Sequence, residues 1–183
     1  MGAAIRRLRT DRGLSLQELS RSSGVSVGML SQIERNLANP SLRLLTKIQL
    51  ALGARASALF DDPQAAFPDP GFVRRKDRRV LCDLGTLTKE LLTAEASQNL
   101  EMLLLHIPVR GSSGEQPLAS PSEKGGLVLQ GAVVLTVGGV EAKLSEGDSF
   151  VFDGATPHSF RNPGRAAAKV LWIISNLPMQ RQL

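Results

Sequence analysis

Residues Ser15 to Asn36 read SLQELSRSSGVSVGMLSQIERN. Ser15 followed three positions later by Glu18 is a capping box. The serine oxygen takes an orphan amide of a helix start, and the glutamate reaches back to the serine amide. Gly24 ends that helix, because glycine enters the left-handed region without a steric penalty. Ser26 caps a further helix that runs to about Asn36. The stretch therefore predicts two short helices joined by a tight turn.

The same punctuation extends outward over the first sixty residues. Ile5 and Leu8 sit three apart on one helical face among Arg6, Arg7 and Arg9, and Gly13 stops that helix. Asn39-Pro40-Ser41 breaks the chain again, and Ser41 caps a fourth helix from Leu42 to about Leu52. A short fifth helix is expected over Ala56 to Phe60. Leu8, Leu19, Val25, Leu30, Ile33, Leu45 and Ile48 form the expected core of a five-helix bundle. Residues 1–60 carry nine Lys and Arg against three Asp and Glu, whereas residues 80–183 carry eight against ten. A basic head on a near-neutral body points to a polyanionic partner for the head. Two short helices at this spacing suit double-stranded DNA, the first crossing the backbone and the second entering the major groove.

Asp61 to Gly71, DDPQAAFPDPG, holds three prolines and reads as a linker. The period then changes. NLEMLLLHI, GGLVLQG, AVVLTV, VEAKL, DSFVF and AKVLWII are strand-like runs, and Val137-Gly138-Gly139-Val140 is a hairpin signal. Short strands separated by turns predict an antiparallel barrel or sandwich. The expected fold class is α + β with two domains. Residues 1–61 are the helical domain, 62–71 the linker and 72–183 an all-β domain. Arg74 to Arg79, RRKDRR, is a basic run at the start of the second domain.

Other features bound the function class. No apolar run among the 183 residues approaches the roughly 20 that a membrane span needs. The start, MGAAIRRLRTDRG, lacks the apolar stretch of a signal peptide. The single cysteine, Cys82, excludes an internal disulfide framework and reads as a small core residue. These features predict a cytoplasmic protein. No Ser-His-Asp or Cys-His spacing marks a catalytic site, so no catalytic residue and no enzyme activity is expected.

Ile5 to Phe60 closely resembles the phage-repressor-like (XRE, Cro-type) helix-turn-helix family, without a gap. The resemblance implies roles for particular side chains. Val27, Gly28 and Gln32 fall where relatives touch base edges. Gln32 suits adenine, whose N6 and N7 a glutamine amide bonds together, and Val27 suits a thymine methyl. Ser26, Ser31, Arg35 and Asn39 are phosphate candidates, which position the protein without specifying sequence. Arg9 and Glu34 match an internal salt bridge of relatives. One position departs from the pattern: Leu16 stands where many relatives start the second helix with glutamine, and Gln17 follows it.

Asn99 to Asn176 resembles the small-barrel cupin superfamily, through GGLVLQGAVVLTVGGVEAKLSEGDSFVFDGATPHSFRNPG. Metal-binding cupins carry two histidines and a glutamate in a first motif and one histidine in a second. Gly147, His158 and Asn162 match the second motif, while Asp153 and Ala155 replace its usual proline and glycine. Anchored on Gly131, the first motif's ligand positions fall on Leu118, Ser120 and Lys124. Leucine has no donor atom, serine is weak, and lysine brings a repelling charge. Glu123 lies one place off and joins only if the register slips. Even with His158 it makes two ligands, and the third, His106, lies outside the motif. Neither a metal nor another cofactor is expected.

The barrel is instead expected to bind a small molecule in a mostly apolar pocket. The polar candidates are His158, Glu123, Lys124 and Gln130. Phe150, Phe152, Phe160 and Trp172 are the candidate walls. Glu123 would suit an amine and Lys124 a carboxylate. The combined resemblance implies a bacterial one-component regulator, a repressor, that binds a pseudo-palindromic operator as a homodimer. Its barrel would sense an effector such as an amino acid or polyamine. Two other readings stand beside it: a metal-dependent cupin enzyme with an appended DNA-binding domain, and a DNA-binding protein whose barrel serves only for dimerisation.

Overall fold

Serines start three of the four α-helices in the computed structural model, which describes residues 1–54, 57–60, 72–94, 97 and 99–176. The helices are α1 (Gly2–Asp11), α2 (Leu16–Ser23), α3 (Val27–Glu34) and α4 (Leu42–Ala51). Ser15, Ser26 and Ser41 each accept from the backbone N–H three residues on, and the Ser15–Glu18 box is complete. Gly24 closes α2 in the left-handed region at φ 65°. The fifth helix expected over Ala56–Phe60 is one 3-10 turn at Ser57–Phe60, with Ala56 outside the described residues. A four-residue stretch is too short to repay α-helix nucleation. The linker expected at 62–71 also lies outside the described residues.

The helices close on Ile5, Leu19, Val25, Leu30, Ile33, Leu45, Ile48, Leu52 and Leu59, all buried. Leu8 packs on this cluster only partly buried. Each fully buried side chain of this kind contributes roughly 1.5–3 kcal/mol over an exposed one.

Nine strands follow among the described residues: β1 (Arg79–Asp83), β2 (Thr88–Leu91), β3 (Leu100–Ile107), β4 (Glu123–Gln130), β5 (Ala132–Val137), β6 (Val140–Ser145), β7 (Ser149–Asp153), β8 (His158–Arg161) and β9 (Ala168–Ser175). One sheet runs β1-β2-β3-β9-β4-β7 and the other β6-β5-β8, with every pairing antiparallel. Val137 pairs with Val140 across Gly138 (φ 57°) and Gly139 (φ 86°), the two-residue hairpin expected from the glycines. Leu105, Ile107, Val170 and Trp172 of the first sheet face Val133, Leu135 and Phe160 of the second. Cys82 is buried on β1. Buried Asn162 ties the turn before β9 to the end of β3, donating to the carbonyls of Ile107, Pro108 and Ala166.

The chain divides into two compact units, Met1–Ala66 and Phe67–Leu183. Among the described residues, no helix is long and apolar enough to cross a membrane.

Candidate nucleic-acid interface and barrel site

Helix α3 has two unlike faces. Leu30 and Ile33 are fully buried, and Met29 packs partly against the same core. Val27, Gly28, Gln32 and Arg35 are exposed on the other side, with Ser31 half-buried among them. Positions i, i+1, i+4, i+5 and i+8 share one face at helical spacing. Ser26 and Asn39 flank this face and are exposed too. Gly28 has a helical backbone, and a Cβ added to it would meet nothing within 4 Å. Nothing inside the fold therefore calls for glycine there.

Two clamps from α1 hold α3 in place. Arg9 Nε and Nη2 bond the Glu34 carboxylate at 2.7 and 2.9 Å, a two-pronged pair with both side chains largely buried. Arg9 Nη1 also donates to the Leu14 carbonyl at 2.7 Å. At the other end, the Gly2 N–H donates to Asn36 Oδ1 at 3.0 Å, and Gly2 is packed so closely on Ile33 that a Cβ would clash. Arg9 is thus spent on structure. Leu16, the departure from the family pattern, packs against the core, and Gln17 is the exposed polar residue beside it.

In the second unit, alternation along β4 turns Lys124 and Val128 inward. Lys124 and His158 are buried, 6% and 1% exposed. Lys124 Nζ lies 2.9 Å from His158 Nε2, and His158 Nδ1 lies 2.8 Å from the Thr156 carbonyl oxygen. A carbonyl only accepts, so Nδ1 carries the proton and Nε2 accepts from the Lys124 ammonium. Burial first, then the Lys124 charge, push the His158 pKa down to about 4, against the pull of the Thr156 bond. Burial and then the charge of Lys89 lower Lys124 to about 8. Lys89 sits on β2 opposite Leu105, on the inward side. Burial of its ammonium lowers its pKa, opposed by Cys82 and by buried Glu101.

Aromatic rings surround the pair. The Phe152 ring lies tilted, 4.9 Å from the His158 ring, Phe150 is 5.0 Å from Trp172, and Phe160 is 5.4 Å from Trp172. Gly126 makes this possible, because a Cβ there would collide with the Phe150 ring at 2.4 Å. Beyond the rings, the layer formed with Leu105, Ile107, Val133, Leu135 and Val170 leaves no room for a water-sized sphere.

The structure thus brings together Lys124, His158, Phe150, Phe152, Phe160 and Trp172. It leaves two sequence candidates outside. Glu123 neighbours Lys124 and so falls on the opposite face of β4, aligned with Asp153 and Ser175. Gln130 lies beyond an irregularity in the pairing with β9 and is exposed. His106 points away from the inward-facing Leu105 and Ile107, and its Nε2 lies 2.9 Å from the Glu90 carboxylate.

Cupins often hold a divalent ion, and this donor set does not suit one. His158 turns its free nitrogen onto an ammonium. Leu118 bonds His158 through the backbone, and its side chain carries no donor atom for a metal. Among the described residues, no group of three His, Cys, Asp or Glu side chains converges. Glu123 and His106 do not reach His158 from the faces they occupy.

Comparison with known proteins assigns the two units. The family profile described as "Helix-turn-helix" matches residues 5–59, and that described as "Cupin domain" matches residues 103–174. The chain belongs to the helix-turn-helix transcriptional regulators that carry a cupin domain. It is 24% identical over 170 residues to the regulator PuuR of Escherichia coli, covering 93% of this chain and 91% of the relative. It is 29% identical over 168 residues to the regulator SutR of the same species, covering 90% and 88%. A crystal structure of a helix-turn-helix family transcriptional regulator from Vibrio cholerae superposes with a TM-score of 0.78 at 26% identity, over 97% of this chain and 95% of the other.

Sequence reasoning about this regulator missed Lys89 and Glu101 as members of the barrel interior. Lys89 lies in TKEL, three of whose four residues are polar, and nothing local marks that segment as a strand with one face buried. The only available signal was alternation of Lys89 with Leu91, too short a run to decide a period.

Proposed function

We propose that this regulator is a sequence-specific repressor that grips a pseudo-palindromic operator as a homodimer, and whose barrel binds a small-metabolite effector. The observation that carries the reading is the free face of α3: Val27, Gly28, Gln32 and Arg35, exposed on a basic domain and backed by a rigid core. In this reading Gln32 reads adenine, Val27 meets a thymine methyl, and Gly28 lets base edges approach the helix backbone. Ser26, Ser31, Arg35 and Asn39 take phosphates. One head covers one half-site, so two copies are needed, with half-sites about one helical turn apart.

The effector works only through unequal affinity for the DNA-bound and free states. Lys124 and His158 are its polar contacts, with Phe150, Phe160 and Trp172 as walls. The family resemblance points to amino acids or polyamines, acting in the cytoplasm. The test is selection of random duplexes by the full-length protein, followed by sedimentation. Recovery of a two-fold symmetric sequence and a sedimenting dimer is the expected result; a monomer selecting a single asymmetric half-site overturns the dimeric reading.

The closed apolar layer of the barrel favours one alternative, that the barrel serves only for dimerisation. A thermal-shift screen against small metabolites separates the two, since mass action stabilises whatever binds the folded state.

A further inference from the structure

Among the described residues, the buried Lys124 ammonium has no counter-ion. Its one polar partner is the neutral imidazole of His158, and among the described residues no carboxylate pairs with it. An ammonium donates three hydrogen bonds, so two N–H groups remain after the one to His158. Lys89 adds a second cation whose charge bears on both Lys124 and His158. Glu101 acts on Lys89, and Glu123, the acidic neighbour of Lys124, faces the other way. Burying an uncompensated charge is costly, and a fold keeps one where a ligand supplies the missing charge.

Hydroxyl groups also lie close to the lysine. Half-exposed Ser120 and Ser122 precede Lys124, with hydroxyls 3.4 Å apart. Gly154 packs against both Ser122 and the Lys124 chain, so closely that a Cβ would sit 2.8 Å from Ser122 Oγ and 2.9 Å from Lys124 Cε. Ser122 therefore lies near the Lys124 chain, across Gly154, and the two serines offer further donors. On the inner side the rings of Phe152 and Trp172 flank His158.

Resting on the effector-binding reading, we propose that the polar end of the barrel is an anion site that takes the carboxylate of a small organic acid on Lys124, with Lys89 as the second positive charge. The ammonium stands on the His158 nitrogen that a cupin metal would occupy, and it does a related task, presenting fixed positive charge to an anion. A carboxylate fits better than a sulfate or phosphate, because its hydrocarbon part suits the aromatic rings and its single charge is cheaper to desolvate. A diamine meets the two ammonium groups of Lys124 and Lys89, and the buried acid of this interior, Glu101, already acts on Lys89.

The experiment follows unfolding of the full-length protein by Trp172 fluorescence while titrating butyrate, succinate, glutamate, butane-1,4-diamine and inorganic sulfate. At least one carboxylate is expected to raise the midpoint saturably, and the diamine to leave it unchanged. In Lys124→Met the half-saturating carboxylate concentration should rise at least about tenfold. Lys89→Met should raise it by less, and it serves as the test if Lys124→Met does not fold. A carboxylate response that survives Lys124→Met overturns the proposal, as does a response confined to sulfate. Affinity for the selected operator, measured in the same samples, separates this inference from the reading beneath it. A diamine that shifts both midpoint and operator affinity sinks the anion site and leaves an effector-sensing regulator standing. No response to any probe, with operator binding intact, sinks the anion site and favours a barrel that only assembles the dimer.

Discussion

The helical unit and the barrel place their charges in opposite ways. In the helical unit the buried charged pair is neutralised: Arg9 and Glu34 meet through two short bonds. The functional candidates there are exposed, on a helix face that the fold itself does not use. In the barrel the candidates lie inside, where Lys124 and His158 are buried together and, among the described residues, no acid pairs with them. A surface meant for a polyanion can stay solvated until it is used. A small-ligand site, the role proposed for the barrel, holds its polar groups desolvated in advance, and that reading accounts for the less comfortable electrostatics there.

The largest expected effect tests whether the two units are independent. Leu30→Ala empties a fully buried position in the helical core and should cost about 2–5 kcal/mol. The chain has a single tryptophan, Trp172, in the barrel. Helical loss followed by far-UV circular dichroism should therefore move to lower denaturant while the tryptophan transition stays put. Joint movement of both signals breaks the comparison.

Acid should act on the barrel and spare the helices. His158 has its pKa pushed down to about 4 from an ordinary 6.5, so between these values the unfolded chain binds the extra proton. Barrel stability should fall as pH drops from 6.5 toward 4, by on the order of 3 kcal/mol in all, and gain nothing from this group above 6.5. Tryptophan-detected denaturation across that range measures it, and His158→Gln should flatten the slope. The helical unit contains no histidine, and its midpoint should hold steady from pH 6.5 to 5.

Within the helical unit, Gln32→Ala should weaken the selected operator by roughly 1–3 kcal/mol and relax preference at one position per half-site. Arg35→Ala should weaken all duplexes alike and reduce the salt slope by about one. Fluorescence anisotropy over a salt series separates them. Equal behaviour of the two variants would show that the face of α3 does not sort into base and phosphate contacts.

The smallest effect is also the sharpest. Gly28 costs helix stability and fills no internal need, so Gly28→Ala should raise the stability of the helical unit by about 1 kcal/mol. The same change should lower operator affinity, since the added methyl stands where DNA would approach. A variant both more stable and equally tight would remove Gly28 from the interface.

Much of this was readable without coordinates. The three serine caps, the Gly24 turn and the Val137–Val140 hairpin all depend on groups within four residues of one another, and the one-dimensional pattern records them directly. The faces of α3 follow from helical period alone. The barrel interior was only half legible. His158 and the aromatic strands stood out, while β1 and β2 passed unnoticed because segments of five and four residues are too short to show a period and take their strand character from their neighbours.

What the chain order determined by itself was therefore the local grammar of helices, caps and turns, and the candidate list on each face. What only the tertiary structure decided was which candidates meet. Lys124 finds His158 across 34 residues, and Glu123, one position away, is turned outward. That choice is made by strand register, with β9 inserted between β3 and β4. Register is a property of long-range pairing, and a shift of one residue would exchange the acid for the base.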